Sequence, residues 1–165
     1  MAKTRGIPCA ACGATLGGRD GCQAQFDKLS ARAWETPVRA VMHNMVVDAY
    51  AMQHPDDYCV SAKSYAAHLT GLCCGLEHPG DHKLYWQIPR WLDGPSKIVK
   101  PPVLDVRGRK TIQTITGVSD GAYQPAVREW AAAVWAAYES QQYLARGWLA
   151  DVLNHSKEKG RRKTE

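Results

Sequence analysis

The chain has 165 residues, 45% of them hydrophobic and six of them tryptophan, enough to build the core of one domain. No apolar run approaches the ~18 residues of a membrane span, and the opening "MAKTRGIPCAACG" lacks the apolar segment of a secretory signal. The expectation is therefore a cytoplasmic protein whose six cysteines stay reduced, which favours metal binding over disulfides. Of the net charge of +5, the last ten residues carry +3, so the remaining +2 argues against a nucleic-acid partner.

Residues 7–22 form a loop rich in Gly and Cys, and a short helix is expected from about Gln23 to Trp34. The next helix has the clearest start: Thr36 suits the N-cap, Pro37 the first helical position, and Pro55 ends the run. Val38, Val41, Met42, Met45, Ala49 and Met52 share one face, while His43, Val47, Tyr50 and His54 share another. A helix apolar on two sides belongs in the middle of a bundle.

Ser61 caps a third helix with the stripe Tyr65, Leu69, Leu72 and Leu76. Ser61, Ser64, His68, Gly71 and Gly75 line one of its edges, where small residues admit another backbone at close range. "DHKLYWQIPRWL" reads as a fourth, short helix bent or ended near Pro89. Residues 93–118 read as a long crossing loop, with a brief strand pair at Lys110 to Ile115; a loop of that length is often functional or mobile. A last helix is expected from Tyr123 to His155, with Pro125 in its first turn. Its stripe is Val127, Trp130, Val134, Tyr138, Gln141, Leu144, Trp148 and Val152. The fold class is thus mainly α, a bundle of about five helices over residues 1–155, followed by a solvated, disordered basic tail at 156–165.

The strongest chemical signal is Cys9, Cys12 and Cys22, spaced C-x2-C-x9-C. The first pair with Gly13 makes a knuckle-like turn, and thiolates of this kind suit Zn2+ in a tetrahedral shell. A structural site needs a fourth ligand. His43 is the first choice, because the cysteine segment and the helix after it can fold against the middle of helix 36–54; His68 and then Cys59 follow. Cys73 and Cys74 lie among apolar residues, where an inert thiol is usual.

His43, Asp48, Tyr50, His54 and His68 form a second constellation, of which Asp48, Tyr50, His54 and His68 are the candidate catalytic set of a metal-dependent hydrolase. His43 and His54 are eleven residues apart, about 16 Å along a helix, so one ion cannot take both. The structural alternative for His54 is to cap the exposed carbonyls of the helix end. His78 and His82 flank a turn and receive no role. No G-x-S-x-G nucleophile motif or P-loop is present.

The segments "PCAACG", "DGCQAQF", "MHNMVVDAYAMQHP", "SAKSYAAHLTGLC" and "VREWAAAVWAAYES" together resemble an uncharacterised bacterial family of the domain-of-unknown-function type, from about Pro8 to Leu153. The family-like positions are Cys9, Cys12, Cys22, His43, Asp48, Tyr50, His54 and His68. The resemblance implies no reaction or substrate. Two expectations follow: a zinc-tied helical protein acting as a binding or accessory module for a protein or small-molecule partner, through the groove beside His68 and the loop at 93–118, or a hydrolase-like metalloenzyme.

Overall fold

The computed structural model describes residues 6–161. In chain order it contains α1 (Gly18–Ala31), α2 (Pro37–Gln53), α3 (Pro55–Tyr58), α4 (Ala62–Glu77), α5 (His82–Tyr85) and α6 (Gln87–Leu92). A 3-10 turn at Ile112–Ile115 leads to α7 (Asp120–Ala137), a second at Glu139–Gln141, and α8 (Gln142–Arg161). No strand occurs among the described residues, so the expected pair near Lys110 is a 3-10 turn instead. Among the described residues no helix is long and apolar enough to cross a membrane.

The central helix is α2. Ten of its seventeen residues are buried, more than one face supplies, because it packs against both α7 and α4. Met42, Met45, Val46, Ala49 and Met52 meet a core that includes Val127, Trp130 and Val134 of α7 and Tyr65, Leu69 and Leu72 of α4. Each fully buried side chain of this size contributes roughly 1.5–3 kcal/mol. Val41, expected in the same stripe, is instead 57% exposed.

Several boundaries differ from the sequence reading for local reasons. Helix α1 begins five residues early because Gly17, in the left-handed region (φ 97°), turns the chain and starts the helix within the Cys loop. It ends at Ala31, leaving Trp34 outside and 76% exposed. Thr36 and Pro37 do begin α2, although the Thr36 hydroxyl makes no hydrogen bond. Ser61 caps α4 through a reciprocal pair of bonds with Ser64.

The single long C-terminal helix is in fact two. It starts at Asp120, breaks at Tyr138 and resumes at Gln142. The Tyr138 hydroxyl donates to the Met52 carbonyl at 2.5 Å, and Gln141 donates to the Pro102 carbonyl at 2.8 Å, which hold the break in place. The tight turn shifts the phase, so Ala145, Leu149 and Val152 are buried in α8, while Leu144 and Trp148 are only half buried. The expected disordered tail is helical up to Arg161, with Ser156 bonded to Gln87 at 2.7 Å; the tail's residues 162–165 lie outside the described residues.

The crossing loop is tied down from several sides. Buried Gln53 donates to the carbonyls of Arg107 (2.9 Å) and Lys110 (2.7 Å) and accepts from the Trp130 indole (3.0 Å). Arg107 reaches the Ala11 carbonyl at 3.3 Å, and Gln113 accepts from the Thr15 amide at 2.8 Å. This loop therefore braces the Cys-rich loop against the bundle.

Candidate metal centre

The Cys-rich loop closes on itself through backbone bonds. The Cys9 amide donates to Ala14 and the Gly13 amide donates to Cys9, both at 2.8 Å, and Gly13 takes φ +81°, where a side chain would be strained. This turn presents Cys9 and Cys12. Cys22 comes from the second turn of α1, packed so closely that a Cβ at Gly21 would collide with the Leu16 carbonyl.

The fourth member is His54, at the point where α2 ends and Pro55 opens α3. Its Nδ1 donates to the Tyr50 carbonyl at 2.8 Å; a carbonyl only accepts, so Nδ1 carries the proton and Nε2 keeps its lone pair. Nε2 lies 3.6 Å from Cys9 Sγ and 3.5 Å from Cys22 Sγ, and Cys12 and Cys22 sulfurs are 3.7 Å apart. The four ligating atoms lie within 4.8 Å of one another. The sulfurs are far beyond disulfide length, and all six cysteines are free. Cys9, Cys22 and His54 are buried and Cys12 is half buried. Cys9, Cys12, Cys22 and His54 can hold a metal ion.

Aromatic rings fix the imidazole. Tyr50 stacks on His54 at 3.9 Å and on Phe26 of α1 at 4.1 Å, with Tyr58 edge-on to both Tyr50 and Phe26. The Tyr50 hydroxyl accepts from Arg19 at 3.1 Å, and Arg19 pairs with Asp57. Burial pushes the Tyr50 phenol up. The hydrogen bond from Cys12 pulls the Cys22 thiol down against burial, aided by His54.

His43, the expected fourth ligand, is not in this cluster. Its ring lies 5.9 Å from that of exposed Trp34, in the first half of α2. The fourth ligand depends on which end of α2 the cysteines reach. Because α1 starts early, the loop and Cys22 pack at the C-terminal end. The eleven-residue separation then excludes His43, as the helix rise requires. Cys59 is also elsewhere: its thiol faces the Ala51 carbonyl, and burial pushes it up to about 12.

The candidate catalytic set divides between two places. Tyr50 and His54 belong to the cysteine cluster. Asp48, on the opposite side of α2, is buried and accepts from Tyr85 at 3.0 Å, with His68 Nδ1 2.9 Å from its other oxygen. Burial pushes the Asp48 carboxyl up, against the pull of His68 and then Tyr85. Gly71 makes this arrangement possible, since a Cβ there would collide with the Asp48 carboxylate. The sequence reading did not include Tyr85; its partner comes from another helix, and no local pattern marks it.

No curated protein and no solved structure matches this chain. The family model described as a family of unknown function (DUF5946) matches residues 7–139, which contain all four clustered ligands and the Asp48–His68–Tyr85 group. The chain therefore belongs to this family, DUF5946.

Proposed function

We propose that the cluster is a structural zinc site and that the protein works as a zinc-stabilised helical binding or accessory module. One observation carries this reading: the spacing of the ligating atoms. A tetrahedral zinc with Zn–S near 2.3 Å and Zn–N near 2.0–2.1 Å requires sulfur–sulfur edges of about 3.8 Å and sulfur–nitrogen edges of about 3.5 Å. Three of the six edges match this closely, Cys12–Cys22 at 3.7 Å and His54 to Cys22 and Cys9 at 3.5 and 3.6 Å, and all four atoms lie within 4.8 Å of one another. Three thiolates and one imidazole supply a full shell of protein ligands, the pattern of structural rather than catalytic zinc. The bond from His54 Nδ1 to the Tyr50 carbonyl fixes the tautomer such a ligand needs. A zinc here would cross-link the N-terminal loop, α1 and the end of α2, adding to the Phe26–Tyr50 stack and the Arg19–Tyr50 bond that already join the two helices.

The metalloenzyme reading is weaker on the same grounds. A shell completed by protein atoms leaves no position for an activated water, and buried Asp48 is already engaged by half-buried His68 and Tyr85. Metal analysis of protein purified without chelator tests the proposal. It expects one zinc per chain, lost in Cys9→Ser together with part of the thermal stability. Protein free of transition metal, or cysteines that all titrate freely in the folded state, would overturn it.

A further inference from the structure

A cavity of about 340 Å3 opens between the first half of α2, the C-terminal half of α4, the turn into α5, and α7. It is remote from the cysteine cluster: Met42 in its wall and His54 are twelve residues apart, about 18 Å along α2. Its floor is apolar, made by Met42 and Met45 with the backbones of Gly71 and Gly75. The glycines keep it open; a Cβ at Gly75 would press on the Met45 methyl at 2.9 Å.

The walls add polar groups that have no work inside the fold. Arg128 of α7 is half buried, and among the described residues its guanidinium has no hydrogen-bond or ion-pair partner. Arg19, Arg32, Arg39, Arg107 and Arg146 are all engaged by carboxylates or carbonyls. Arg90 and Arg109 are unpaired too, but they are exposed to water. Asn44 is half buried, lines the same cavity and is likewise unpartnered, and His78 and His82 stand at its exposed edge. The carboxylates nearby bond to other groups and do not pair with Arg128. Asp81 accepts from the Leu84 amide at 2.9 Å, and Asp48, behind Gly71, is held by His68 and Tyr85.

A half-buried guanidinium with no ion-pair partner, set over an apolar floor, is complementary to a carboxylate on an apolar body. We propose that this cavity binds a small organic monocarboxylate, its carboxylate on Arg128 and Asn44 and its apolar part on Met42 and Met45. The volume suits a molecule of roughly a dozen non-hydrogen atoms. This site does not depend on the metal reading, because none of its residues touches the cysteine cluster.

The test titrates the full chain, with its metal content unaltered, with sodium 4-phenylbutyrate while recording amide resonances. The neutral 4-phenylbutanamide serves as the charge control. Saturable shifts centred on Met42, Met45, Gly71 and Gly75 are expected, with the amide binding about tenfold more weakly and Arg128→Gln reducing carboxylate affinity by a similar factor. Arg128→Lys should restore part of the loss. Absence of shifts up to low-millimolar ligand, shifts located elsewhere, or equal affinity for acid and amide would each overturn the proposal. The acid–amide comparison reads the charge contact without any substitution, so it decides the matter even if Arg128→Gln misfolds.

Discussion

Replacing His54 with alanine is the most direct probe of how the metal centre is built into the fold. The imidazole is 1% exposed, bonded to the Tyr50 carbonyl at 2.8 Å and stacked on the Tyr50 ring at 3.9 Å. Losing the hydrogen bond costs about 1 kcal/mol. The stacked contact adds about 1 kcal/mol, and the hole left in a packed interior roughly 2 kcal/mol. The sum is about 4 kcal/mol before any metal is considered, which for a chain of this length lowers Tm by roughly 8–16 °C. Loss of the ion removes a further contribution. His43→Ala supplies the contrast: its half-buried ring lies beside exposed Trp34, so the cost is about 1 kcal/mol or less and the metal stays. Metal per chain is measured on gel-filtered protein, alongside thermal unfolding with and without chelator. If His54→Ala keeps its metal and its chelator sensitivity while His43→Ala loses both, the assignment of the fourth ligand is refuted.

Removing the metal with a chelator should loosen the N-terminal turn first; hydrogen exchange at the Cys9 and Gly13 amides should accelerate while α7 amides stay protected, and uniform acceleration would contradict this. The buried Asp48 has a raised pKa, so the folded state holds its proton more tightly than the unfolded chain does. Its contribution to stability is thus complete below the ordinary carboxylate range and lost as pH rises through the raised value. Urea midpoints against pH should show that decline in the native chain and less of it in Asp48→Asn, and parallel curves would count against the burial argument. Gly71→Ala forces a methyl onto the Asp48 carboxylate and should cost about 1–3 kcal/mol in chemical denaturation. Adding Asp48→Ala should make the Gly71→Ala step cheaper, and strictly additive losses would mean that the two do not touch. Gln53→Ala strands the Trp130 indole and two loop carbonyls, for a loss of about 2–4 kcal/mol and faster proteolysis within residues 93–111.

Much of this molecule is legible in its residues, because helices are written in local spacing. Thr36–Pro37 and Ser61 mark the two central helix starts, and the two apolar faces of α2 announce its place inside the bundle. The three cysteines were visible as a set for the same reason: thirteen residues of chain carry them to one another through a turn and the start of a helix. What spacing cannot encode is which end of α2 that set meets. The axial difference between His43 and His54 depends on how α1 packs, and that depends on Gly17 and Gly18 starting the helix early and on Phe26 stacking against Tyr50.

The same limit separates the other features. The break at Tyr138 is invisible in a continuous helical stripe, since it is held by bonds to Met52 and Pro102 from distant segments. Tyr85 joins Asp48 and His68, and Arg128 and Met45 come to line one cavity, only after four helices have packed. The amino-acid order by itself determined the helices, their inward faces and the sulfur ligands, all governed by interactions a few residues apart. Tertiary packing alone decided the imidazole, the buried carboxylate's partners and the cavity, because each is a meeting of groups whose separation along the chain carries no record of their distance in space.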